Sequence, residues 1–391
     1  MRYAGTAISI RQAFKEVKGF EWDGEYRAVA RAAIKELLEG KMESYIDDHL
    51  EEMEYQGVAD RRNGHYERHI LTEAGDVAVA VQRTRLRSAQ EVLKSFGRRS
   101  ATVDRMILEC FVLGLSTRKV GRALLWALGE KVSASTVSKV AKQLDGAVTA
   151  YHRRGLSNRY RFLFFDGVVL KNRTGAGARK RVVLVALGIT AEGKKEVIDF
   201  KLATGESQGA WESFLNDLYR RGITGAGVAL IVVDGGKGLL AGLEVAYGTI
   251  PVQRCWAHKT RNVLNHVRTA DQEEVKTALH KISHAAGIRE AQRMFRRFVL
   301  KWSEQYPKAV ECLQKDIEDL CSFFAIPDSS LWRHIRTTNA IERRFVEVRR
   351  RTRPMGVFSD RTSMERILYA IFTYENTKEG TATPLLLTHN S

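Results

Sequence analysis

The sequence predicts a mixed α/β domain of order βββαβαβα, interrupted by an α-helical insertion and preceded by a mainly helical, basic region. Three observations carry this. From residue 160 onward, apolar runs of strand length alternate with helical patterns. Residues 270–330 lose every strand signal. Residues 101–145 break into three short capped helical patterns.

The segments follow in order. Residues 1–56 are expected to hold an acidic helix or helical pair over 24–56, a candidate self-association element. Residues 57–100 form a small basic segment with a turn at Asn63-Gly64 and a half-buried strand through Val77, Val79 and Val81. Arg83, Arg85 and Arg87 then recur at every second position, as a phosphate-facing stripe or a solvated strand edge. Residues 101–155 are expected to form a helix-turn-helix domain, with Ser116 and Ser133 as N-caps. Its third helix would offer Ser135, Thr136, Ser138, Lys139 and Lys142 to DNA. Residues 156–268 carry the first part of the sheet, a three-strand meander with later strands added in parallel through helical crossovers. Residues 269–333 are the insertion, and 334–391 hold a last helix and the C-terminal tail.

Composition excludes other classes. With 44% hydrophobic and 28% charged residues, the chain is neither disordered nor fibrous. Apolar runs such as Val228–Val233 fall far short of the roughly 18–20 residues of a membrane span. The first residues, MRYAGTAISIRQAFKEV, lack the apolar stretch of a secretory signal. Four cysteines without a C-x-x-C pair argue against a disulfide framework and fit a reducing, cytoplasmic setting. The net charge of +17 points to a polyanionic partner if the basic residues cluster.

Two carboxylates stand out. Asp166 interrupts the apolar run Phe162–Val169, and Asp234 ends the apolar strand Ile231–Val233 just before Gly235-Gly236. A buried, unpaired carboxylate costs several kcal/mol, on the order of 3–5, so a cation, backbone donors or metal should compensate. The competing reading for each is an ordinary turn-starting Asp before Gly. Glu342 would be the third acid, beside the apolar stripe Ile341, Phe345 and Val348. Its competing reading is a capping box with Asn339. Arg333, Arg336, Arg343, Arg344, Arg349, Arg350, Arg351 and Arg353 surround it, a density suited to bidentate phosphate contact. Three acids in such a field suit two Mg²⁺ ions, with Mn²⁺ as substitute. Glu206 and Glu347 are the competing acids for the third position.

With these motifs in hand, the chain resembles the mutator-type bacterial insertion-sequence transposases. The resemblance rests on D-R-R-N-G-H-Y (60–66) with G-D-V (75–77), and on G-L-S-T-R-K-V (114–120) with S-A-S-T-V-S (133–138). It continues through F-F-D-G (164–167), V-D-G-G-K-G (233–238), Q-R-C-W-A-H-K-T-R-N-V (253–263) and T-T-N-A-I-E-R-R (337–344). It implies a ribonuclease-H-like catalytic domain interrupted by a helical insertion, with Asp166, Asp234 and Glu342 as its DDE triad. It also implies binding of double-stranded DNA at terminal inverted repeats, strand cleavage, and joining of a 3′-hydroxyl to target DNA through a circular intermediate. A bacterial, nucleoid-associated protein acting as a dimer or larger assembly follows.

Cys255 and His258 have C-x-x-H spacing, but a zinc site needs two further ligands, such as His280 and His284, and zinc is not expected. The resemblance makes the pair a family signature beside the active site, with His258, Lys259 and Arg261 contacting DNA or orienting a catalytic group. A core Cys and a helix-start His are the alternative. Among Trp256, Trp302 and Trp332, Trp332 is the favoured platform for stacking on a distorted base. Two other classes remain open: a DNA-binding regulator with structural acids, and a nuclease that cuts without joining.

Overall fold

The computed structural model describes residues 25–94, 97–129, 131–174, 177–355, 358 and 360–382. The start of the 1–56 segment, including the stretch read for a signal, and the last residues of the tail lie outside them. Among the described residues, no helix is long and apolar enough to cross a membrane. The chain divides into two compact units, residues 1–141 and 142–391.

In the first unit, Glu25–Tyr55 is one continuous helix (α1) rather than a pair. Its buried stripe, Leu38, Met42 and Ile46, recurs at i, i+4, i+8. That stripe packs on a two-stranded antiparallel ribbon, β1 (Arg62–Thr72) and β2 (Gly75–Thr84), through Ile70, Val77, Val79 and Val81. The expected segments 1–56 and 57–100 therefore share one core, and the stripe is not a free self-association face. The hairpin turns at Glu73-Ala74, between the paired Thr72 and Gly75. Asn63-Gly64 instead lies at a register shift inside β1, where Gly64 takes φ +70°. β2 stops at Thr84, so Arg83, Arg85 and Arg87 do not share one strand face. Arg83 bonds the Asn63 carbonyl, and Arg87 lies over the Tyr45 ring.

Three helical patterns follow as expected, with the middle one broken: α2 (Ala101–Val112), α3 (Thr117–Ala123), α4 (Leu125–Leu128) and α5 (Ala134–Lys142). Ser116 and Ser133 accept hydrogen bonds from the Lys119 and Thr136 amides and so cap as predicted. On α5, Val137, Val140 and Ala141 are buried, while Ser135, Lys139 and Lys142 are exposed. Thr136 is half-buried and its hydroxyl is bonded by Ser133, so it is less available than expected.

The second unit starts earlier than the expected boundary at 155. Its first helix, α6 (Leu144–Arg153), packs within it: Arg366 grips Asp145 at 2.7 and 2.9 Å, and the Tyr151 hydroxyl donates to the Val197 carbonyl. The sheet then forms in the predicted order. β3 (Tyr160–Thr174), β4 (Gly177–Thr190) and β5 (Lys195–Ala203) make an antiparallel meander. After α7 (Gln208–Arg220), β6 (Leu230–Val233) joins β3 in parallel. After α8 (Lys237–Tyr247), β7 (Val252–Arg254) joins β6 in parallel, and α9 (Trp256–Leu264) follows. The spatial order is β5-β4-β3-β6-β7. One face is covered by α7 and α8 through Trp211, Phe214, Leu215, Leu239 and Leu243.

The predicted insertion is helical throughout: α10 (Gln272–Ser283), α11 (Ile288–Trp302), α12 (Pro307–Gln314), α13 (Ile317–Cys321) and α14 (Trp332–Ile335). It is tied to the end of the sheet. Gln253 donates to the Leu320 carbonyl and accepts from the Phe323 amide, while Asp316 pairs with both Arg254 and Lys259. The chain then returns through α15 (Asn339–Thr352) and α16 (Arg361–Lys378). Asn376 on α16 exchanges two hydrogen bonds with the backbone of Val197 in β5.

Candidate active site

β3 and β6 run parallel, with Phe165 opposite Val233. This register places Asp166 and Asp234 one step beyond the same rung, on adjacent strands. The apolar residues before each form the buried sheet centre and fix the strands. Asp166 accepts from the Gly167 amide at 2.7 Å, and Asp234 from the Gly236 amide at 2.9 Å. Asp234 also sits at the N-terminus of α8, where the helix dipole favours an anion. Gly235 adopts φ +95°, and a Cβ there would collide with the Arg254 guanidinium.

Burial pushes the Asp166 carboxyl up to about 7, and the neighbouring Asp234 charge pushes the same way; Gly167 and His258 oppose it, and Glu342 adds to it. Both Asp234 and Glu342 thus bear on the charge of Asp166. Glu342 lies in the first turn of α15, which begins at Asn339 with Thr338 as N-cap. The alternative box with Asn339 as cap is not formed. Thr338 donates to Glu342 Oε1 at 2.6 Å instead.

Cys255 is fully buried as the N-cap of α9, and His258 is half-buried in its first turn. Among the described residues, Cys255, His258 and Glu342 bring their ligand atoms within 4.8 Å of one another. His280 and His284, the other zinc candidates, stack on each other at 3.5 Å. The hydrogen bond with Cys255 raises His258 to about 8 against the effect of burial, with Glu342 and Asp234 contributing. Burial alone would raise the Cys255 thiol, but hydrogen bonds with His258 and Thr338 outweigh it and bring it down. Of the competing acids, Glu347 is engaged with Arg350 and Arg351. Glu206 lies nearer: a Cβ at Gly167 would meet its Oε1 at 2.5 Å, and burial and Asp234 raise its pKa.

Several side chains expected to contact DNA are engaged within the protein. Arg351 is 1% exposed and lies over the Tyr374 ring at 4.4 Å. Arg344 pairs with Glu375 at 2.8 Å and with Glu379, so it braces α15 against α16. Arg336 is half-buried, and its guanidinium donates to the Ser283 carbonyl. Lys259 is 6% exposed and committed to Asp316. Arg261, Arg343, Arg349 and Arg350 remain exposed, as expected of phosphate contacts. The Trp332 indole donates to the Ile326 carbonyl, and its ring packs edge-on against Phe323 and Phe324. The residue is thus engaged in packing while staying half-exposed.

These elements define the class: a mixed α/β protein with a five-stranded sheet, two carboxylates side by side at its centre and an arginine-rich helix. Comparison makes this specific. The family model "Transposase, Mutator family" matches residues 4–380, and the chain belongs to that family. A Lactococcus lactis transposase for insertion sequence element IS905 is 29% identical over 359 residues, covering 92% of this chain and 90% of that one. A Mycobacterium tuberculosis transposase for IS1081 is 32% identical over 322 residues, covering 81% and 77%. A simian T-cell lymphotropic virus intasome structure overlaps 35% of this chain and 52% of its own at 14% identity, with a TM-score of 0.19, too low to bear on the fold. Members of this family are transposases, and transposases act on DNA.

Proposed function

We propose that this protein is an insertion-sequence transposase whose centre is Asp166, Asp234 and Glu342, on a ribonuclease-H-like sheet. What supports it is the pairing register that sets Asp166 and Asp234 side by side, with Glu342 near enough to add to the cost of charging the buried Asp166. Such a cost is sensible where a cation is to be held. The donor set is all hard oxygen, which fits Mg²⁺ or Mn²⁺ rather than zinc. When bound there, two divalent ions would activate the attacking water or 3′-hydroxyl and stabilise the leaving oxygen.

The chain's own groups do the rest. Asp166 and Asp234 would hold the ions from the sheet, and Glu342 would complete the set from α15. His258, beside Glu342, supplies a positive group toward a phosphate oxygen. Exposed Arg261, Arg343, Arg349 and Arg350 grip the backbone, and the helix-turn-helix of α2–α5 reads the terminal inverted repeat with Ser135, Lys139 and Lys142. Two ends must be held together, so the working form is a dimer or larger assembly in the bacterial cytoplasm, on the nucleoid. A circular double-stranded intermediate fits such a reaction.

The test is excision and circle formation from a mini-element in cells, with strand joining measured in parallel on purified protein. Asp166→Asn, Asp234→Asn and Glu342→Gln should each abolish joined product by more than about a hundredfold while end-DNA binding persists. Retained activity in all three would overturn the reading in favour of a regulator. Cutting without joining by the wild type would make it a nuclease.

A further inference from the structure

We propose that Thr338 is a positioning residue that fixes the Glu342 carboxylate and, through Cys255, ties it to the strand carrying Asp234. The inference rests on the reading of Glu342 as a metal ligand. Thr338 is completely buried. It is the N-cap of α15, where a threonine ordinarily turns its hydroxyl to an amide of the first turn. It makes no such bond. Its hydroxyl reaches Glu342 Oε1 at 2.6 Å, and lies 3.3 Å from Cys255 Sγ and 3.5 Å from His258 Nδ1. One hydroxyl carries one proton, and the shortest contact, to the carboxylate, takes it. The lone pairs then face the Cys255 and His258 side.

The connection continues backward through the main chain. The Thr338 amide donates to Cys255 Sγ at 3.3 Å, and the Cys255 amide donates to the Val233 carbonyl at 2.8 Å. Val233 immediately precedes Asp234. A parallel tie runs from the Trp256 amide to the Arg336 carbonyl at 3.0 Å. A side chain brought in from α15, far along the sequence, is thereby registered on the sheet by hydrogen bonds rather than by packing alone. The C-x-x-H turn gains a role in this arrangement: Cys255 and His258 hold the residue that holds Glu342. An outer residue that orients a ligand typically changes metal affinity by about 10–100-fold when its bond is removed.

The experiment uses the full chain and Mn²⁺ as the probe. Binding is read by electron paramagnetic resonance, and strand cleavage is measured against Mg²⁺ concentration. Thr338→Val keeps the volume and the backbone amide but deletes the hydroxyl. It should weaken Mn²⁺ binding about tenfold and raise the Mg²⁺ requirement alike, with DNA binding unchanged. Thr338→Ser should stay within about twofold of wild type, a rescue that mere core filling does not predict. Wild-type affinity in Thr338→Val, with Glu342→Gln impaired, overturns this proposal and spares the active-site reading. Unchanged affinity and cleavage in Glu342→Gln overturns both. If Thr338→Val fails to fold, the serine variant decides, since a tenfold loss there also contradicts the proposal.

Discussion

Asp166 keeps a proton until about pH 7 because burial and Asp234 oppose its charge. An unfolded chain releases that proton near pH 4. Between those values the metal-free native state holds a proton that the unfolded state has lost. Its stability therefore falls as pH rises across that window and levels off above it. Asp166→Asn should remove this slope and stabilise the metal-free protein at pH 8 by about 1–3 kcal/mol, with Mg²⁺ narrowing the gap. Thermal unfolding from pH 5 to 8, with and without Mg²⁺, checks this; an unchanged slope in the variant contradicts it. Asp166 and Asp234 were legible in the sequence because an acid inside an apolar strand is costly wherever it lies. The surroundings of Arg351 and Trp332 were not legible, for the opposite reason. Local composition shows an arginine run, but not Tyr374 one helix away, nor Phe323 and Phe324 against the indole. Thr338 lies inside the T-T-N-A-I-E-R-R motif, yet its hydroxyl's choice of partner is a fact of three dimensions.

At the scale of elements, two groups of charges separate structure from binding. Asp316 pairs with both Arg254 and Lys259, the cations that join the insertion to β7 and α9. Asp316→Ala would strip the buried Lys259 of its carboxylate and Arg254 of its bonded one, at a cost of about 3–5 kcal/mol measured by denaturant unfolding. A loss below about 1 kcal/mol would show that water reaches the cluster. On α15, Arg344 faces Glu375 and Glu379 whereas Arg343 and Arg349 are exposed. Arg343→Ala and Arg349→Ala should weaken DNA binding uniformly across sequences, each reducing the salt slope by about one. Arg344→Ala should lower the melting temperature and leave that slope unchanged. Equal salt slopes for all three would contradict this partition. The sheet and crossovers were legible because each β-run is bounded by a helix pattern or a Gly-rich turn. The hairpin at Thr72–Gly75 was not, because Asn63-Gly64 is the stronger turn signal in isolation and Glu73-Ala74 a weak one.

For the whole molecule, the net charge of +17 and the division into two units set the expectations. End-DNA binding should fall steeply between about 50 and 200 mM salt, as expected for several phosphate contacts. Salt-independent binding in a filter or fluorescence assay would contradict a phosphate-led interface. Unit boundaries were the least legible feature. The first proline is Pro251, so no linker composition marked the division, and α6 carries no sequence sign that its partners are Val197 and Arg366. The central claim concerns acids far apart in the chain that form one metal centre. Replacing Mg²⁺ with Fe²⁺ and generating hydroxyl radicals in place tests it directly, because the chain is cut beside the bound ion. The account predicts cuts near residues 166, 234 and 342 together, suppressed by Mg²⁺ and lost in Asp234→Asn. Cuts at none of these positions, or a pattern that Asp234→Asn leaves unchanged, would contradict it.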